Sequence, residues 1–190
     1  MTAPARAPCT LDASGPAVFP IALGCMGMSG MYGPSDERES IATLHAALDA
    51  GVTLLDTGDF YGMGHNELLI GRALRDRRHA ALLSVKFGAM RAPGGAWGGV
   101  DARPVAVRNF LAYTVTRLGV DHVDVYRPAR LDVVPVIGAR TRAQLADALG
   151  ALAVRLSPAD LARIEAAVPA EAVAGTRHGA DQMQHLDSER

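Results

Sequence analysis

The sequence predicts an α/β fold built around a parallel β-sheet. Short apolar runs typical of buried strands alternate with longer segments in which apolar residues recur every three or four positions, as on one face of a helix. Up to residue 126 this gives the order β-α-β-α-β-α-β, and such alternation indicates parallel strands joined by right-handed crossovers. Hydrophobic residues make up 49% of the 190 residues, which is enough for a substantial core.

The first half of the chain contains a predicted N-terminal hairpin and two strand–helix units. Residues 1–8 are rich in proline and alanine, and we expect them to be disordered. Asp36 followed by Glu39 resembles a capping box, and Gly51 gives the same helix its stop signal. The predicted elements are a hairpin over residues 10–19, strands over 21–24 and 52–55, and helices over 36–50 and 66–78.

The second half keeps the alternation until about residue 130, after which a strand follows with no helix before it. Pro104 suits the first turn of a helix that Gly119 ends. A glycine-rich loop over residues 91–102 holds Trp97 and is either a wall of a substrate pocket or a mobile insertion. The predicted elements are strands over 81–85, 122–126 and 133–137, helices over 104–118 and 158–169, a helix carrying Leu145, Leu149 and Leu152, and a polar tail over 170–190.

The composition excludes several classes of function. The formal net charge of −1 argues against a nucleic-acid or membrane-surface partner, and no apolar run approaches the roughly 20 residues of a membrane span. Cys9 and Cys25 are too few and too far apart for a disulfide framework or a metal cluster. The expectation is a cytoplasmic domain without a metal site.

Three polar side chains stand at the predicted carboxyl ends of strands. Asp56 and Tyr61 follow the second strand, and Lys86 follows the third. An ammonium beside a phenol favours the phenolate, and a carboxylate can hold that ammonium in place, so the set suits proton donation to a carbonyl. The structural alternative is a turn in which Asp56 satisfies loop amides.

At these residues the sequence resembles the aldo-keto reductases. The matching segments occur in the family's order and cover nearly all of the chain. They are residues 23–29, 55–62, 85–88, 117–126 and 136–140.

The resemblance implies a (β/α)₈ barrel with an N-terminal hairpin and an oxidoreductase that uses NADPH, with NADH possible, on a small-molecule aldehyde or ketone. It further implies that Tyr61 is the general acid, that Lys86 tunes it, and that Asp56 orients Lys86 and lies near the cofactor. The turn at Gly27 and Met28 would approach the cofactor, although a glycine-rich stretch after a strand also suits a flexible loop. The segment matching the adenosine-end site comprises Gly138, Ala139, Arg140, Thr141, Arg142, Gln144 and Asp147.

Arginines beside a helix N-terminus suit the 2′-phosphate of NADPH, and the alternative for them is a solvated helix start. One departure from the family lies after the fourth strand, where the usual active-site histidine falls on Ala129. His65 is near Tyr61 in sequence but is more typical of a solvated loop residue. His122 begins its strand and is therefore expected at the opposite face of the barrel.

A larger departure is the missing length. A (β/α)₈ barrel takes roughly 250 residues, and here units one to four (residues 9–132) are followed directly by the eighth unit and C-terminal helix (133–169). The sequence therefore predicts a single, incomplete barrel of about five units, with strand order 8-1-2-3-4 and a join near Asp132. Because so few residues connect the fourth and last strands, we expect an antiparallel or displaced last strand, a strand-swapped dimer or other homo-oligomer, or a marginally stable chain.

The sequence thus predicts an aldo-keto reductase-like enzyme whose activity the internal deletion endangers. The alternatives are a non-catalytic nucleotide-binding or interaction relic of such an enzyme, and a false join between the two ends of an ordinary one. The carbonyl substrate is not specified, because the loops that would form its pocket belong to the missing units.

Overall fold

The computed structural model describes residues 9–11, 15–129, 136–167 and 169. The predictions for residues 1–8, the join near Asp132, and the tail over 170–190 lie outside these residues. The chain divides into two compact units, residues 1–150 and 151–190. Whether both belong to one domain, as the sequence predicts, stays a prediction.

The first unit contains nine strands and four helices within its described residues. The strands are β1 (Cys9–Thr10), β2 (Ala17–Val18), β3 (Ala22–Gly24), β4 (Leu54–Gly58), β5 (Leu82–Phe87), β6 (Ala89–Arg91), β7 (Trp97–Val100), β8 (Val125–Pro128) and β9 (Val136–Gly138). The helices are α1 (Glu37–Asp49), α2 (His65–Ala73), α3 (Pro104–Leu118) and α4 (Arg142–Gly150). The second unit contains α5 (Pro158–Ala167), whose start is capped by reciprocal hydrogen bonds between Ser157 and Asp160.

The main sheet has five parallel strands in the order β8-β5-β4-β3-β9. This is the contiguous order predicted for strands 8-1-2-3-4 of a barrel, so the described fold is part of an α/β barrel with an N-terminal hairpin formed by β1 and β2. Parallel pairing aligns the carboxyl ends of all five strands at one edge, where barrel enzymes place their active sites.

The expectation of an antiparallel or displaced last strand was wrong. In β9, Val136 pairs with Ala22 and Gly138 with Gly24, both in parallel register. The sequence prediction began this strand at residue 133, whereas it begins at Val136. Because β9 begins at Val136, the connection from Ala129 has seven Cα–Cα steps, which reach about 25 Å when extended. Strand exchange between copies and marginal stability stay predictions.

The helices largely follow their sequence signals. Asp36 caps α1 by accepting the Glu39 N–H at 2.7 Å, and α3 runs from Pro104 to a left-handed Gly119 (φ 67°) as predicted. Helix α2 ends at Ala73, earlier than the predicted residue 78. Arg78 instead donates to the carbonyl of Ala81 and to the Asp124 carboxylate, which fixes the chain for entry into β5.

Two predicted features differ from the structure. The glycine-rich stretch over 91–102 is not a loop, because β6 and β7 pair into an antiparallel hairpin whose Arg91 guanidinium lies 5.5 Å from the Trp97 ring centre. The spacing of Val107, Leu111, Val115 and Leu118 in the sequence predicts a core-facing stripe on α3, and this stripe is only partly buried. Leu118 is buried, while Val107, Leu111 and Val115 stay half-exposed, because α3 packs along one side against α2 and β5.

The core lies between the sheet and helices α1 and α2. Fully buried apolar side chains from both layers interlock there, and they include Leu23, Leu44, Leu55, Leu69, Ile70, Leu83 and Val85. This packing fixes the positions of β4 and β5, and with them the polar side chains at their carboxyl ends.

Gly71 allows α2 and α3 to approach closely. A Cβ atom added there would lie 2.5 Å from the carbonyl oxygen of Leu118. Ala normally stabilises a helix interior relative to Gly by up to about 1 kcal/mol, but this contact forces the helices apart. We expect Gly71→Ala to lower the free energy of unfolding by about 1–3 kcal/mol.

Urea denaturation followed by circular dichroism measures this change. Gly150→Ala, at the end of α4, is the matched control, because no atom lies within 4 Å of its added Cβ. A stability gain in Gly71→Ala equal to that of the control would show that α2 and α3 are not in this close contact.

Candidate active site

The carboxyl edge of the sheet brings together Asp56 from β4, Lys86 from β5 and Arg127 from β8. The strand registers align Asp56 with Ser84 and Lys86 with Arg127. Residues paired across parallel strands point to the same face, and residues two apart on one strand do so too. These four side chains therefore share the face of the sheet that would line a barrel interior.

Asp56 is shared by two cations. Its Oδ2 accepts a hydrogen bond from the Lys86 ammonium, and its Oδ1 accepts one from Arg127 Nη2 at 2.6 Å. Ser84 Oγ also donates to Oδ1 at 3.0 Å. The side chains of Asp56, Arg127 and Lys86 are 2%, 5% and 14% exposed, so this is a largely dehydrated cluster. Asp56 lies within β4, which runs on to Gly58, and not at the strand's end as predicted.

Arg127 was missed by the sequence prediction. One feature of the sequence could have revealed it. Arg127 lies two residues before Ala129, the position where the family carries histidine, and residues two apart on a strand point to the same face. A buried arginine needs a carboxylate partner, and Asp56 provides one. Ala129 itself contributes its backbone N–H to the carbonyl of Phe87 at 3.0 Å.

Tyr61 lies at the start of the short turn Tyr61–Gly64, whose central residues Gly62 and Met63 have left-handed backbone angles, and its ring lies above this cluster. Its side chain is buried, and Lys86 Nζ lies 5.5 Å from the centre of its ring. The Phe60 ring meets it edge to face with centres 4.7 Å apart. Gly58 makes room for both rings, because a Cβ there would lie 3.1–3.3 Å from their carbons.

The segment before Tyr61 is anchored through Asp59. The Asp59 N–H donates to the carbonyl of Lys86 at 2.9 Å, and its Oδ2 accepts the Gly88 N–H at 3.3 Å. Burial and, to a smaller extent, the nearby Glu67 carboxylate raise the pKa of Asp59 to about 6, although the Gly88 N–H and Arg117 oppose the shift. Glu67 is itself fully buried and accepts a hydrogen bond from Arg117 at 2.7 Å.

Asn66 is a second positioning residue that the sequence prediction missed. It is fully buried at the start of α2. Its Oδ1 accepts from Thr57 Oγ1 at 2.6 Å, while its Nδ2 donates to the Cys25 carbonyl at 2.8 Å and to Ser29 Oγ at 2.7 Å. One amide thus ties the ends of β3 and β4 to the first turn of α2.

The two histidines considered from sequence make contacts outside the Asp56 cluster. His65 lies at the start of α2, where its Nδ1 contacts Ser29 Oγ at 3.0 Å. His122 precedes β8 and contacts Asp121 at 2.5 Å, at the amino end of its strand as expected.

The predicted adenosine-end segment follows β9 and therefore stands beside β3 at the same edge of the sheet. Arg140 donates from Nη1 to the carbonyls of Tyr32 (2.9 Å) and Pro34 (3.2 Å), and its backbone N–H donates to Gln144 Oε1 at 2.8 Å. Thr141 Oγ1 accepts the Gln144 N–H at 3.2 Å, which caps α4. Asp147 is exposed on the same helix.

The turn at Gly27 and Met28 packs beneath Arg140. A Cβ on Gly27 would lie 2.8 Å from Arg140 Cγ, so glycine is needed for this contact. The Met28 side chain is fully buried, and its carbonyl accepts from Ser35 Oγ at 3.0 Å. Ala139 is also buried. Of these residues, Met28 and Ala139 can meet a ligand only through their backbone.

Other types of site find little support in the described residues. Within the part of the chain that the structure describes, no cluster of three or more His, Cys, Asp or Glu side chains could hold a metal ion. Among the described helices, none is long and apolar enough to cross a membrane. Burial raises the pKa of the Cys25 thiol far above its usual range, which keeps it protonated.

Comparison with known proteins identifies the family. The sequence model of the aldo/keto reductase family matches residues 20–134, well over half of the chain. The chain belongs to the aldo/keto reductase family. The match ends next to the predicted join near Asp132.

Two relatives show how much of the length of known family members the chain covers. It is 39% identical over 108 residues to aldo-keto reductase yakc [NADP(+)] of Schizosaccharomyces pombe, covering 56% of this chain and 32% of the relative. It is 34% identical over 132 residues to Probable aldo-keto reductase 1 of Glycine max, covering 68% and 38%. The chain therefore spans about a third of the length of these relatives.

Solved structures give the same result for the fold. The aldo-keto reductase AKR11C1 from Bacillus halodurans (holo form) matches with a TM-score of 0.55 at 30% identity, over 63% of this chain and 39% of that one. An aldo-keto reductase from Klebsiella pneumoniae in complex with NADPH matches in fold with a TM-score of 0.52 at 24% identity, over 64% and 39%.

Proposed function

We propose that this aldo/keto reductase family member is an oxidoreductase that reduces an aldehyde or ketone to an alcohol with NADPH. The observation that carries the proposal is the buried Asp56–Lys86 pair beneath the Tyr61 ring at the carboxyl edge of the sheet. NADH is a weaker alternative, because two arginines stand at the segment that would hold the adenosine end.

A bound NADPH would supply the hydride that the carbonyl carbon accepts. The Tyr61 hydroxyl then gives its proton to the carbonyl oxygen, so that an alcohol and a tyrosinate form. The Lys86 ammonium stabilises the tyrosinate until a proton from solvent restores the phenol. Asp56 keeps Lys86 beneath the ring, and Arg127 keeps Asp56 in place.

The residues present fit the adenosine end of such a cofactor. Gly27 and the first turn of α4 lie beside Arg140, and the guanidinium groups of Arg140 and Arg142 add positive charge that suits a phosphate. The cofactor-binding set would be Gly27, Met28, Asp56, Gly138, Ala139, Arg140, Thr141, Arg142, Gln144 and Asp147.

Orientation of the carbonyl has to be achieved without an imidazole, because Ala129 stands where the family carries histidine. Arg127 is buried against Asp56 and Ser84. It therefore positions the cluster and does not replace the histidine as a donor to substrate. We infer that Tyr61, or a water molecule, orients the carbonyl oxygen.

The test is NADPH oxidation with 4-nitrobenzaldehyde, followed at 340 nm. Tyr61→Phe removes the proton donor, and we expect it to lower kcat/KM by about 10²-fold. Tyr113→Phe, on the exposed side of α3, is the matched control and should leave the rate unchanged. Equal rates in the wild type and Tyr61→Phe would refute the assignment of Tyr61.

A second candidate function is a non-catalytic nucleotide-binding module. The observation that favours it is the missing length, since the chain spans 32% and 38% of the relatives described above. Cofactor fluorescence separates the two functions. NADPH binding with no turnover would favour the module, whereas turnover that depends on Tyr61 would favour the enzyme.

A further inference from the structure

Glu39 occupies the place beside α4 where an anionic ligand would bind. Its Oε1 accepts from the Arg142 backbone N–H at 3.0 Å and from Arg142 Nε at 3.1 Å, and its Oε2 accepts from Arg142 Nη2 at 3.0 Å. The Glu39 carboxylate of α1 thus binds both the guanidinium group of Arg142 and the backbone N–H at the start of α4. These are the groups that recognise a phosphate.

The second arginine of this segment is oriented by backbone groups. Arg140 is held by the carbonyls of Tyr32 and Pro34, which neutralise no charge. Arg142 is paired with Glu39, and this pairing lowers the pKa of Glu39, so that the carboxylate stays ionised at neutral pH. An incoming phosphate therefore meets two guanidinium groups and one fixed negative charge.

We propose that Glu39 is a specificity-determining residue that weakens binding of the 2′-phosphate of NADPH relative to the 2′-hydroxyl of NADH. The inference rests on the proposed function, because it assumes that the segment after β9 holds the adenosine end. A 2′-phosphate must displace the Glu39 carboxylate from Arg142 or bind beside it. In the second case the negative charges of the phosphate and the carboxylate repel each other. A neutral 2′-hydroxyl meets no such repulsion and can donate to a carboxylate.

The pair is poised for such competition. The Glu39 side chain is 28% exposed and that of Arg142 is 62% exposed, so solvent and ligands can reach both. An exposed ion pair contributes little stability, and it can therefore be opened at small cost. The Glu39 N–H is capped by Asp36, so α1 does not depend on the Glu39 side chain for its start.

Isothermal titration calorimetry with adenosine 2′,5′-bisphosphate and adenosine 5′-monophosphate tests the proposal on the full chain. These probes differ by the 2′-phosphate and need none of the nicotinamide site. In Glu39→Gln the side-chain carbonyl can still accept from the Arg142 N–H, but the negative charge is gone. We expect the bisphosphate to bind about tenfold more tightly and the monophosphate to change less than twofold.

Glu37→Gln is the matched control. Glu37 lies in the same turn of α1 but pairs with Arg72 at 3.0 Å and so faces away from Arg142. This variant should bind both probes as the wild type does. Circular dichroism melting establishes that all variants are folded.

The outcomes separate the inference from the proposed function. Bisphosphate binding that is unchanged in Glu39→Gln, but lost in Arg142→Gln, would overturn the role of Glu39 and leave the cofactor site standing. Failure of every folded variant to bind NADPH or either probe would overturn both. Tighter bisphosphate binding in Glu39→Gln but not in Glu37→Gln supports the proposal.

Discussion

Replacing Asp56 with asparagine is expected to lower the free energy of unfolding by about 3–5 kcal/mol, because breaking a buried ion pair leaves charge without compensation. Lys86 and Arg127 both bind the Asp56 carboxylate, and both are largely buried. An asparagine of the same shape removes the shared negative charge and leaves two cations facing each other across a neutral amide. The effect is large because little water reaches this face of the sheet.

Urea denaturation at pH 7 measures the loss. Asp49→Asn is the matched control, since Asp49 pairs with Arg77 on the surface with 66% of its side chain exposed, and we expect it to cost less than about 1 kcal/mol. The double variant Asp56→Asn with Arg127→Met removes one of the two cations and should recover part of the loss. A cost at Asp56 no greater than that at Asp49 would show that the cluster is not buried.

Asp59→Asn is expected to act in the opposite direction and raise the free energy of unfolding above pH 7 by about 3 kcal/mol. This follows from a pKa of Asp59 that is raised from 3.8 to about 6, at 1.36 kcal/mol per unit. Burial raises the pKa of Asp59 from 3.8 to about 6 in the folded chain. The folded state therefore binds this proton more tightly than the unfolded state, and stability falls as pH rises from about 4 to about 6. Asparagine keeps an acceptor for the Gly88 N–H but carries no charge.

Thermal melts of the wild type and Asp59→Asn between pH 4 and pH 8 test this sign. The two curves should lie close together near pH 4 and separate as pH rises, with the variant more stable above pH 6. Asp49→Asn should show no comparable separation. If Asp59→Asn is less stable than the wild type at pH 8, the ionised Asp59 carboxylate stabilises the folded state, and the prediction is wrong.

Local signals explain why much of the fold could be predicted. Helices α1 and α3 begin and end where their caps lie in the sequence, because a cap is decided by a few neighbouring residues. The central strands followed from buried apolar runs. Asp56, Tyr61 and Lys86 were recognised as a group because they follow two such strands, and the structure brings all three together.

Features that depend on distant residues could not be predicted in the same way. The role of Arg127 needs the register of β8 against β5, and a strand edge gives no sign of register in the sequence. The hairpin of β6 and β7 was predicted as a loop because its glycines interrupt the alternation of apolar and polar residues by which a strand is recognised. The position of β9 depends on how far a short connection can reach, and that required knowing that the strand begins at Val136.

The position of β9 decides whether the proposed adenosine-end segment stands at the same edge of the sheet as Asp56 and Lys86. An intramolecular crosslink tests this position most directly. Ala22 and Val136 are paired in parallel register, so cysteines at both positions should form a disulfide within one chain, in a background with Cys9→Ser and Cys25→Ala. Cysteines at Ala22 in β3 and Val125 in β8 form the control pair, because β4 and β5 lie between these two strands. Non-reducing electrophoresis of the oxidised protein is expected to show a crosslinked monomer for the first pair and none for the second. A crosslinked dimer would show that the strand is exchanged between copies, and the absence of any crosslink would contradict the five-stranded sheet.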